Sequence, residues 1–66
     1  MKIEDLNTQF NIICTFQNND KNYIVYFDDE NNIVSSTYVI DGVKLVLSEI
    51  ETEEEFQMIY RKLEEL

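Results

Sequence analysis

The chain has 66 residues, with 14 acidic side chains against 5 basic ones, no histidine, one cysteine and a net charge of −9. A chain this short forms one small domain, residues 1–66, with a single modest core and no room for a deep, walled active-site pocket. The charge excludes direct attraction to nucleic acid or to an anionic membrane surface, and 44% apolar residues is too many for a disordered tail.

Residues 1–9 carry the weakest pattern and are expected to be poorly defined. Ile3, Leu6 and Phe10 are spaced three and four apart, which suits a short helical turn or an extended, frayed end. MKIEDLNTQ contains acids and lacks the apolar centre of a signal peptide. No later run approaches the ~20 apolar residues of a membrane span. A lone cysteine cannot form an internal disulfide. Together these features set the expectation of a cytoplasmic protein.

Phe10–Gln17 alternates, with Phe10, Ile12, Cys14 and Phe16 on one side and Asn11, Ile13, Thr15 and Gln17 on the other. Asn18–Lys21 is a turn of residues that tolerate left-handed backbone. Asn22–Asp28 is a second strand, with Tyr23, Val25 and Phe27 opposed to Ile24 and Tyr26. The polar stretch Asp28–Asn32 is a loop. Ile33–Ile40 is a third strand, with Val34, Tyr38 and Ile40 on one face. Asp41-Gly42 is a strong hairpin turn holding the chain's single glycine. Val43 to Leu47 or Ser48 is a fourth strand, with Val43, Leu45 and Leu47 on one face.

Thr52–Leu66 closes the chain as an amphipathic helix. Thr52 and Glu55 form a capping-box pattern, and Glu53, Glu54 and Glu55 occupy the first turn, where the helix dipole favours anions. Phe56, Ile59, Tyr60, Leu63 and Leu66 recur at steps of three and four and are expected to dock as one stripe. The predicted fold is α+β: a four-stranded antiparallel β-meander with one C-terminal amphipathic helix packed on one face.

On the face away from that helix the alternation places Ile13, Ile24, Tyr26, Val39 and Val46. Three readings are open: scattered surface groups, a face covered by Ile3 and Leu6, or a protein-contact site, with a sheet-to-sheet homodimer among its forms. Glu49, Glu51, Glu53 and Glu54 give an acidic rim beside it, suited to a basic protein partner.

Catalytic chemistry is not legible. Without histidine the usual base near neutral pH, the Ser-His and Cys-His pairs and the commonest zinc ligand are missing. Cys14 reads as a small core residue, and one glycine cannot build a phosphate loop. Asp28, Glu30 and Asn32 imitate the opening of a calcium loop, but Ile33 stands where that loop needs glycine and Val39 where it needs glutamate. The carboxylate pairs Asp28/Asp29 and Glu49/Glu51 sit in turns and element ends, hence in water. No catalytic residue, metal ligand or cofactor is expected.

Cys14-Thr15-Phe16, Lys21 to Tyr26, Ser36 to Ile40, Ile50 to Phe56 and the ending Leu63 to Leu66 together resemble the small acidic YrzB-like family of Gram-positive bacteria, a domain of unknown function. The resemblance implies no substrate, cofactor or catalytic residue. Members of that family often carry a further strand before the first one here, where this chain has only Met1–Gln9. The expected function is a non-enzymatic protein-binding or regulatory module. The alternative is an acidic mimic of nucleic acid that inhibits a basic DNA- or RNA-binding protein.

Overall fold

The computed structural model describes residues 2–5 and 11–65. Five strands form one antiparallel sheet: β1 (Lys2–Asp5), β2 (Asn11–Asn18), β3 (Lys21–Phe27), β4 (Ile33–Asp41) and β5 (Lys44–Glu49), in the order β1-β5-β4-β3-β2. One helix follows, α1 (Glu53–Glu64). The class is the expected one, α+β, and the four predicted strands are β2 to β5. The addition is β1. It extends the sheet beyond β5 from within the segment expected to be poorly defined. Leu6, Phe10 and Leu66 lie outside the described residues.

The turns follow from their residues. Asn18 opposes Lys21, so the β2–β3 loop is only Asn19-Asp20, with φ of 51° and 64°. Left-handed conformation at both central residues suits a right-twisted hairpin, and Asn and Asp tolerate it. Asp41 opposes Lys44, and Gly42 takes φ 63° at the first central position of that two-residue loop. Between β3 and β4, the Asp28 carboxylate accepts from the Glu30 amide at 2.9 Å and the Asn32 amide at 2.8 Å. Asp28, which imitates the opening of a calcium loop in sequence, thus serves as the organiser of its own turn.

Register decides which side chains meet. Phe27 opposes Ile33, so Tyr26 opposes Val34 and Ile24 opposes Ser36. The two faces therefore carry separate cores. Under α1 lie Tyr23 and Val25 with Ile59, joined by Ile13, Cys14, Phe16, Ile50, Met58 and Leu63. Away from α1 lie Ile24, Tyr26, Leu45 and Leu47 with Val34 and Tyr38. A shift in register between Ile12 and Cys14 breaks the expected alternation of β2. Cys14 and Phe16 pair with Val25 and Tyr23 on the helix side, whereas Ile12 pairs with Tyr26 on the other. Phe16 and Tyr23 stack with ring centroids 5.3 Å apart, a cross-strand aromatic pair of the kind that steadies sheets.

The helix docks as expected, but on a rotated stripe. Ile59 is 1% exposed and Leu63 and Met58 half-buried, whereas Phe56 and Tyr60 are 41% and 61% exposed. Phe56 and Tyr60 are thus a flank of the helix, not its buried centre. Glu55 is what turns it: one turn before Ile59, its half-buried carboxylate is held to the sheet.

Candidate functional site

Two local arrangements stand out, one holding the helix and one left open beside it. The first joins Lys21 and Tyr23 of β3 to Glu55 of α1. The Tyr23 hydroxyl donates to Glu55 Oε2 at 2.6 Å, and Lys21 Nζ lies 3.7 Å from the same oxygen. The Thr52 hydroxyl accepts from the Glu55 amide at 3.2 Å and donates to Glu55 Oε1 at 3.0 Å. This is a capping box with its return arm diverted: the carboxylate expected on the Thr52 amide is bound to a hydroxyl and a phenol.

Burial pushes the Tyr23 phenol up to about 12, with the Glu55 hydrogen bond and charge adding to it. Glu55 is held below the ordinary carboxylate value, chiefly by the bond from Tyr23; burial opposes this, while Thr52 and Lys21 reinforce it. The phenol is almost fully buried and its proton committed, so the arrangement is a strut between layers and not an acid–base pair. The cleft beside it, lined by Asn18, Asn19, Tyr23, Thr52, Glu54, Glu55 and Met58, measures about 220 Å³. That is below the ~300 Å³ at which small-molecule pockets begin. Among the described residues no group of three or more acidic or cysteine side chains is placed to hold a metal.

The second arrangement is an uncovered shelf. The partners of α1 in the helix-side core are on β2 and β3. Among the described residues, nothing packs on the same face of β4, β5 and β1. Across it runs one register row, Val39 opposite Val46 and Val46 opposite Ile3. Val39 is 60% and Ile3 56% exposed, with Val46 half-buried between them. Half-buried Thr37 and Ser48 form the next row, where the Thr37 hydroxyl donates to the Ser48 carbonyl at 3.4 Å. Exposed Ile33 continues the face at the far end of β4.

The helix supplies the wall of this shelf. Met58 lines the cleft on the β2 side with Asn18 and Asn19. At 3.6 residues per turn Phe56 and Tyr60 lie on the opposite flank, away from β2. Glu53 and Glu64 share that flank and are exposed.

The predicted contact residues are thereby divided. Ile24 and Tyr26 are 3% and 5% exposed, buried in the core away from the helix, so they are not surface residues. Ile13, at the β2 irregularity, packs half-buried in the helix-side core. Val39 and Val46 are adjacent, but on the helix side of the sheet and not opposite it. The cause is the β3–β4 register, which sets Tyr26 and Val39 on different faces. Glu49, Glu51, Glu53 and Glu54 are all exposed; Glu49 opposes Ser36 on the far face, and Glu53 and Glu54 open the helix. Ile3, Phe56 and Tyr60 were not among the predicted contacts, nor were Ile33, Thr37 and Ser48. For the aromatic pair a signal existed, since a stripe through Met58, Ile59 and Leu63 fits the helix as well as one through Phe56 and Tyr60. For Ile3 none existed, because its face depends on pairing with β5.

A five-stranded antiparallel sheet with one helix and a net charge of −9 defines a small acidic α+β protein. The chain belongs to a family of proteins of unknown function, DUF1292, whose model matches residues 4–66. No curated protein and no solved structure matches it significantly. No helix among the described residues is long and apolar enough to cross a membrane.

Proposed function

We propose that this protein is a non-enzymatic protein-binding module of the cytoplasm, one of the small acidic YrzB-like proteins of Gram-positive bacteria. Its contact surface is the shelf of Ile3, Val46 and Val39 with the Phe56–Tyr60 flank as wall. The observation that carries the reading is an apolar row across three adjacent strands, exposed at Ile3 and Val39 and half-buried at Val46, beside a helix that exposes two aromatics. Scattered apolar side chains are normal on a surface, but a contiguous, aromatic-edged patch marks a contact site. The partner is basic, since a net charge of −9 favours cationic surfaces and repels anionic ones.

That same charge supports a second reading, an acidic decoy occupying the nucleic-acid groove of a basic protein. Affinity capture from the native host at low and high salt separates the two. A decoy loses its partner steeply with salt, because attraction between exposed charges is screened within about 10 Å at 0.1 M. A shelf binder retains its partner and loses it in Val39→Asp and Tyr60→Asp. If both variants capture the same proteins as the parent at both salts, the shelf is not the contact surface.

A further inference from the structure

The open half of the helix-side face has the dimensions and charge of a seat for one more helix. Its floor is three strands wide, about 10 Å between the outer two at a spacing of ~4.8 Å. An α-helix with its side chains is about 10–12 Å across. Along the strands β4 runs nine residues, about 30 Å, and the floor is three strands wide over the four residues of β1, about 13 Å. α1 already covers the other strands of this face, and a sheet face is completed by elements lying side by side on it. A strand added at the free edge of β1 would extend the sheet and leave the Val39–Val46–Ile3 row uncovered.

The electrostatics select the kind of helix. Glu53, Phe56, Tyr60 and Glu64 recur at steps of three and four along the flank away from β2, so two carboxylates bracket two aromatic rings. The two basic residues of α1 lie elsewhere: Arg61 falls on another side of the helix, and Lys62 pairs with Glu65 at 3.8 Å. Lys44, one row beyond Val46, has Asp41 opposite it. A second copy of the chain would set another −9 against the first. Resting on the shelf as contact surface, we infer that its occupant is a cationic amphipathic helix of a partner protein, lying beside α1. The partner's apolar stripe covers Ile3, Val46 and Val39, and its basic residues meet Glu53 and Glu64.

The probe is a designed leucine/lysine peptide of about five helical turns with one apolar stripe, compared with a peptide of the same composition in scrambled order. Binding is followed by fluorescence anisotropy, and the contact is mapped by methyl and amide chemical shifts on the unmodified protein. The expected result is at least about tenfold tighter binding of the striped peptide. The shifts should centre on Ile3, Val39, Val46 and Tyr60, and the preference should vanish in Val39→Asp. Because Val39 is exposed, its thermal transition serves as a check that the variant is folded. Equal binding of both peptides overturns the inference, as does mapping to another surface. So does sedimentation of the free protein as a dimer joined through these residues, which would make a second copy the occupant. If host capture depends on Val39 while the striped peptide shows no preference, the shelf stands as contact surface and the helical occupant falls. If neither depends on Val39, both fall.

Discussion

Tyr23→Phe removes one oxygen and tests the strut that fixes the helix on the sheet. The ring, its stacking on Phe16 and its packing under Ile59 are kept; only the 2.6 Å bond to Glu55 is lost. A hydrogen bond to a charged group contributes about 1.5–3 kcal/mol, against about 0.5–1.5 between neutral groups. The Glu55 side chain is 14% exposed, so water replaces the lost donor poorly. The variant should therefore lose about 1.5–3 kcal/mol at pH 7. The loss should shrink in acid. Because the folded-state pKa of Glu55 is depressed, its contribution is fully present above the unfolded value of 4.5 and fades as pH falls through the folded one. Below that, only a neutral pair remains for the substitution to break. In alkali the sign is reversed for Tyr23, whose phenol is raised from 10.0 to about 12. Folding disfavours the phenolate, so parent stability holds below pH 10 and falls as pH rises through 12, and the variant lacks this limb. Urea unfolding of parent and variant across the pH range measures all three regimes. A loss at pH 7 that persists unchanged down to the lowest pH at which the parent stays folded, with the Glu55 carboxyl shown by NMR to be protonated there, would show that the bond to an ionised Glu55 is not its source.

Two further substitutions probe the fold. Ile59→Ala should cost about 2–5 kcal/mol, as for other buried large-to-small changes, whereas Phe56→Ala, at an exposed flank position, should cost far less in the same urea titration. The reverse ranking would place the docked stripe back on Phe56 and Tyr60. Asp20→Gly should raise stability by about 0.5–1 kcal/mol, because Asp20 holds φ 64° in the two-residue β2–β3 turn and glycine adopts that conformation without steric cost; a lower melting temperature would contradict this.

Local chemistry made the elements legible, and long-range register hid the site. Thr52 and the three glutamates after it marked the helix start because capping is settled within one turn. Asn19-Asp20 and Gly42 marked their hairpins because tight two-residue loops use left-handed backbone, which Asn, Asp and Gly tolerate; the second loop is Gly42-Val43, one residue later than the predicted Asp41-Gly42. Strand alternation told which residues of one strand share a side. It could not tell which side of one strand continues that of the next. That link passes through the five residues Asp28–Asn32, whose length leaves the phase of β4 open. Asp28 resolves it by gathering the Glu30 and Asn32 amides on one oxygen, and every side chain of β4 and β5 is then assigned. A strand that is apolar on both sides gives no warning of an exchange. Ile24 and Tyr26 could therefore read as surface residues while forming a second core.

The same register explains why the exposed row need not cause self-association. Both free edges of the sheet are poor templates for another strand: β1 has only four residues, and β2 carries an irregularity between Ile12 and Cys14. What remains open is a face, whose three-strand row buries little area by itself. For two copies that gain is opposed by −9 acting on −9. For a basic partner the opposing term becomes attractive, and the same small apolar area then adds to it. Charge therefore discriminates between occupants that the apolar row alone would accept equally, and neutralising Glu53 and Glu64 should narrow that discrimination before it weakens the fold.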